Sequence, residues 1–143
     1  MLKPLGRFLQ LFLCIILSMP VLAPAAAAED ARSLTKVSGD VYRARSNHHY
    51  SLVAITSAGV VVVDPINTTA ASWLRENLGT INDKPITRLI YSHSHGDYAS
   101  GSAALGAGTV IAQANAPATI DGVAPTRRFE ESINLTVGGR HSS

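Results

Sequence analysis

Residues Leu89–Gly101 read LIYSHSHGDYASG. An apolar, strand-like run gives way within a few positions to His93, His95 and Asp97. Alternate residues of an extended backbone point to the same side, so the two imidazoles can face one ion, and Asp97 can reach the same ion or a neighbouring one. Gly96 is expected to supply a turn that a residue with a β-carbon would resist. Neutral imidazole nitrogens and carboxylate oxygens are what a divalent zinc ion takes, and a catalytic site keeps a position open for water. Water on such an ion has its pKa lowered to about 7. The same loop could instead be a solvated turn, with Asp97 capping the helix that follows.

The elements around the loop decide between these readings. VYRAR (41–45) alternates apolar and basic residues as a half-buried strand does, and YSLVAIT (50–56) reads as a second strand. SAG turns the chain into VVVVDP (60–65), giving a hairpin, and four consecutive valines suit a strand covered on both faces. In TTAASWLRENLGTI, Ala70, Trp73, Leu74 and Leu78 share one helical face, with Asn67 or Thr68 as cap and Gly79 as the expected stop. KPITRLIYS is the next strand, followed by the histidine loop, a short helix through SAAL and a strand in GTVIAQ. An irregular segment around Pro117 and Pro125 leads to FEESINLTVGG, a last strand or hairpin arm. Strands first, then strands alternating with helices, indicate a layered α/β domain. The histidine loop then lies at the carboxyl end of a buried strand, where ligand sites gather in such sheets, and this favours the metal reading.

Residues 1–28 read as a cleaved signal. Lys3 and Arg7 precede an apolar run, and Ala26 and Ala28 stand before Glu29 and Asp30. This implies a periplasmic or secreted protein with no stable membrane anchor after cleavage, and leaves residues 29–143 as one domain. Cys14, the only cysteine, lies in that signal. The mature chain therefore has no thiol for a disulfide, a nucleophile or a metal. Removing Lys3 and Arg7 from the 12 basic residues leaves ten against 10 acidic ones. With no basic stripe and no aromatic interleaving, nothing points to nucleic acid, and the expected partner is a small-molecule substrate. His48 and His49 are expected at a surface loop or hairpin end, and Trp73 in the core.

IYSHSHGDYASG resembles the first metal motif of the metallo-β-lactamase superfamily, histidine-x-histidine-x-aspartate-histidine before a small residue and glycine. VYRARSNHHYSLVAITSAGVVVVDPIN resembles that family's opening strands, and FEESINLTVGG the strand pair in the middle of its fold. The resemblance implies the N-terminal half of a four-layer αβ/βα metallo-β-lactamase sandwich, with metals on one edge between two sheets. It implies that His93 and His95 are ligands of a first zinc. Asp97 would be a ligand of a second zinc and the catalytic group that orients the attacking hydroxide, and Asp64 would hold a structural position. Tyr98 stands where many members carry a second-site histidine, and a phenol with an unperturbed pKa of about 10 is a poor ligand. The implied cofactor is therefore Zn2+, one or two ions, the second weakly held. The family's third first-site histidine, its bridging aspartate and its last histidine have no counterpart, since His141 falls inside the hairpin and too early.

Two functions follow. One is a zinc hydrolase whose activated hydroxide attacks an ester, lactam or related bond. The other is a truncated, inactive fragment that binds metal weakly. A homodimer that covers the exposed inner sheet face and pools ligands is the lesser alternative.

Overall fold

The computed structural model describes residues 31–138 and 140–142. The signal reading of residues 1–28, with Cys14, lies outside them. Among the described residues no helix is long and apolar enough to cross a membrane. Seven strands form one sheet in sequence order: β1 (Arg32–Ser38), β2 (Val41–Ser46), β3 (His49–Thr56), β4 (Gly59–Val63), β5 (Ile86–Ile90), β6 (Thr109–Gln113) and β7 (Arg127–Phe129). The first three pairings are antiparallel and the next three parallel. Helix α1 (Thr68–Ile81) makes the crossover from β4 to β5, and α2 (Gly96–Ala99) with α3 (Ser102–Leu105) leads from β5 to β6. A separate hairpin, β8 (Leu135–Val137) and β9 (Arg140–Ser142), closes the described chain. His141 pairs with Thr136 in it.

The valine run divides between the two faces of the sheet. Val60 and Val62 join Val53, Leu89, Val110 and Ala112 beneath Leu74 and Leu78 of α1 and Leu105 of α3. Val61 points the other way and packs with Ile111, Leu135 and Val137. The two-faced burial read from the sequence is therefore present, with helices on one side and the hairpin on the other.

Local chemistry accounts for the element ends. Of the two candidate caps, Asn67 serves: its Oδ1 accepts the Ala70 N–H at 2.9 Å. Gly79 does not stop the helix, which continues to Ile81. Asn82 closes it by donating both its N–H and its side-chain amide to Leu78 O, at 3.0 and 2.9 Å. β1 precedes the first strand read from the sequence. Its residues carry little apolar alternation, but the backbone pairs along β2 and Leu34 packs against the core. Trp73, expected in the core, is partly buried at its margin.

Candidate metal centre

β5 delivers the histidine loop. The strand lies between β4 and β6, and Tyr91 N–H extends its ladder by donating to Ile111 O at 2.9 Å. From there Ser92, His93, Ser94 and His95 emerge exposed from the sheet edge. His95 O accepts from Tyr98 N–H at 3.0 Å and Ala99 N–H at 2.9 Å, which starts α2 at once. The structure brings His93, His95 and Asp97 together, one ligand atom from each lying within 4.8 Å of the others. Among the described residues this is the one group of three or more His, Cys, Asp or Glu side chains so placed. Asp97 sits inside the first turn of α2, whose N-cap is His95, so it does not cap that helix.

Gly96 does not play the part expected of it. Its φ is not positive, it opens α2, and an added Cβ would meet only Ser100 Oγ, at 3.8 Å. The glycine that the loop requires is Gly101. It has φ +85°, and a Cβ there would run into the backbone of Asn67 and Thr68, where the helix after β4 begins.

Behind the histidines lies their support, built on the Asp64 that the family resemblance put in a structural position. Asp64, at the end of β4, is buried with φ +60°. Its backbone N–H donates to Ile90 O at 3.0 Å, and its O accepts the Ser51 hydroxyl at 2.5 Å. Asp64 Oδ1 then accepts the Ser92 N–H at 2.9 Å, and Oδ2 accepts the Ser92 hydroxyl at 2.5 Å. Ser92 Oγ also lies 2.7 Å from His93 Nδ1. A serine hydroxyl has one hydrogen, and here the carboxylate takes it. Oγ can only accept from the imidazole, so Nδ1 carries the proton and Nε2 keeps its lone pair for a metal. Ile66, a β-branched residue at φ +69°, anchors the same loop by donating to Tyr98 O at 2.8 Å.

Two further side chains join the cluster. Tyr98 packs its ring against His93, with centroids 5.1 Å apart. His49, expected at a surface loop or hairpin end, does open β3, yet its Nε2 lies 3.5 Å from Asp97 Oδ2. Its ring meets Tyr98 edge-on at 4.9 Å. His48 has no such place in the cluster. Tyr91 is buried beneath the loop. Burial raises its phenol above the ordinary value of 10.0, and the carboxylates of Asp121 and Asp64 push the same way. A groove of about 220 Å³ opens beside the histidines, between the loop and the end of β6, lined by Tyr91, His93, His95, Gln113 and Asn115.

No protein-family model and no curated protein matches the sequence. Solved structures do match the fold. A metallo-β-lactamase from Pontibacter korlensis superposes with a TM-score of 0.67 at 20% identity, over 78% of this chain and 58% of its own. The metallo-β-lactamase MIM-1 from Novosphingobium pentaromativorans gives 0.61 at 22%, over 82% and 54%. The chain has the metallo-β-lactamase fold. The sec-alkyl sulfatase PisA1 shares it, with a TM-score of 0.60 at 18% identity over 77% of this chain and 26% of that one. The chain thus spans between half and three-fifths of the length of these two metallo-β-lactamases. Within the metallo-β-lactamase fold, the seven-stranded sheet and its helices correspond to part of the αβ/βα sandwich, as the α/β reading of the sequence expected.

Proposed function

We propose that the chain is a metal-dependent hydrolase unit of metallo-β-lactamase type, with zinc as its metal and a small molecule carrying an ester, lactam or related bond as its substrate. The observation that carries this reading is the convergence of His93, His95 and Asp97, with Ser92 Oγ set 2.7 Å from His93 Nδ1. Two imidazoles and a carboxylate with room for water suit a catalytic zinc site. Zinc bound there would supply an activated water near neutral pH and polarise the electrophile. His93, His95 and Asp97 would hold the metal, Asp64 and Ser92 would keep the His93 ring in its ligating tautomer, and Asp97 would also orient the attacking water. The groove beside His93 and His95 offers a place for the substrate. The neighbours include both β-lactamases and a sulfatase, so the fold leaves the choice of bond to the loops around the site. Residues 1–28, read as a signal, would put this chemistry in the periplasm or outside the cell.

A second reading, a metal-binding chain without turnover, is favoured by one observation. All three donors are exposed, and catalytic centres gain much of their effect by excluding water. The experiment is to measure zinc retained by the purified full chain, with hydrolysis of a chromogenic β-lactam and an aryl sulfate, beside His93→Ala. Bound zinc with turnover, both lost in the variant, supports the hydrolase. Bound zinc without turnover supports the second reading, and failure to bind zinc overturns both.

A further inference from the structure

We infer that His49 and Asp97 form a second cation position beside the first, so that the nitrogen ligand expected from the residue at position 98 comes instead from the β2–β3 hairpin. This rests on the reading of His93, His95 and Asp97 as a metal centre. Tyr98 occupies the position where a histidine would complete the second site, and its phenol is a poor donor at neutral pH. The ring nevertheless touches two imidazoles, His93 at 5.1 Å and His49 at 4.9 Å. His49 thus sits against the residue that displaced the expected ligand, and it faces the carboxylate that such a ligand would have joined.

The separation of His49 Nε2 and Asp97 Oδ2 is informative. A charge-assisted hydrogen bond between imidazolium and carboxylate closes to about 2.7–2.9 Å. Two donors on one tetrahedral zinc, each at about 2.0–2.1 Å, stand about 3.3 Å apart. The observed 3.5 Å lies within ion-pair range and is also close to the spacing of two donors on one ion. His49 is also not one of the three donors within 4.8 Å of one another, so it reaches Asp97 without joining the His93–His95 set. A carboxylate has two oxygens, and one that faces two nitrogen sets can bridge two ions at the spacing of about 3.5–4 Å common in two-metal hydrolases. The hairpin holds its histidine firmly. Ser46 pairs with His49, Asn47 takes the turn at φ +54°, and Asn47 N–H donates to Ala31 O at 2.9 Å. Arg45 Nε donates to Asn47 O at 2.6 Å, tying the turn to its own strand. The ligand class is a small divalent cation that accepts nitrogen and oxygen donors, zinc first among them.

The test is a Zn2+ titration of the 15N-labelled full chain, followed through the imidazole nitrogens by long-range 1H–15N spectra, with the same titration on His49→Ala. The expected result is two transitions: the first moves His93 and His95, the second moves His49, and His49→Ala loses the second while keeping the first. Tyr98→Phe keeps both, because its ring and not its hydroxyl does the positioning. A His49 signal that stays still through excess Zn2+ while His93 and His95 shift overturns the inference and leaves the first site standing. So does an unchanged stoichiometry in His49→Ala. If His93 and His95 do not move either, the metal-centre reading has failed and the inference falls with it. The wild-type titration decides the matter even if the alanine variant does not fold.

Discussion

The two faces of the seven-stranded sheet are finished to different degrees. On the helix side Val53, Val60, Val62 and Leu89 are each 0% exposed, sealed under α1 and α3. On the opposite side the β8–β9 hairpin buries Val61 and Ile111, but Leu52 is 48% exposed. Leu52 lines a cavity of about 380 Å³ with Ala54, Val61, Val63, Ile90, Leu135 and Val137. The candidate metal centre is rooted in the finished side. Asp64, Ser92 and the start of α2 are held by strands and loops whose core is complete, and none of the three grouped donors comes from the open face. Positioning of the donors is therefore expected to depend on packing beneath the helices and to be largely indifferent to changes on the other face.

The largest effect should come from Leu89→Ala. Leu89 lies next to last in β5, fully buried, a few residues before the ligands. Removing it leaves a cavity that the surrounding strands cannot close, at a cost of about 2–5 kcal/mol. Urea unfolding of the two proteins measures it, and a loss below about 1 kcal/mol would mean that the helix-side core is looser than its burial implies. Gly101→Ala comes next. It imposes a β-carbon on a residue at φ +85° and drives that carbon into the backbone of Asn67 and Thr68. The left-handed conformation alone costs a non-glycine residue about 1–2 kcal/mol, and the collision adds to it. A shift of the unfolding midpoint larger than that of a helix-surface alanine substitution is the expected outcome.

The third variant moves from stability to the site. Ser92→Ala removes the group that accepts the His93 Nδ1 proton, while Asp64 keeps its bond to the Ser92 backbone N–H. Zinc affinity, measured by calorimetry, should fall roughly ten- to a hundredfold, the usual cost of losing an outer partner of a ligating histidine. The 15N spectrum of the metal-free variant should show a mixture of tautomers at His93, and Ser92→Thr should restore the single form. An affinity unchanged in Ser92→Ala would detach the Asp64–Ser92–His93 chain from metal binding.

How much of this was legible beforehand follows from the range of each interaction. The valine run, the helix period of 68–81 and the His-x-His-x-Asp spacing are local patterns, and each led to the right element or loop. β1 was missed because its stability comes from pairing with β2 and not from its own alternation. The histidine loop could be placed from sequence and the resemblance marked Asp64 as structural, but the partners these residues meet could not be read. Asp64 lies 28 positions from Ser92, and His49 lies a whole α/β unit from Asp97, so only the folded sheet brings them together. A weak signal existed for Asp64. An aspartate before proline at the end of a buried strand is a residue that tolerates positive φ at a place where the chain must turn. For His49 the pair of histidines at a hairpin end was the only hint, and on its own it fitted a solvent-facing role equally well.

The smallest expected effect tests the comparison most directly. Leu52→Ser replaces a side chain that the described fold leaves half in water, while its neighbours on the same face, Ala54 of β3 and Val63 of β4, keep their contacts. If that face is open in solution, little apolar area is uncovered by the change, and stability should move by no more than about 0.5 kcal/mol in either direction. Zinc affinity should not move at all. A cost approaching that of Leu89→Ala would mean that Leu52 is buried in the protein as it exists in solution, under a second copy or under chain that the described residues do not include. Repeating the measurement at several protein concentrations separates the two. A cost that grows with concentration belongs to an association equilibrium, and one that does not belongs to the chain itself.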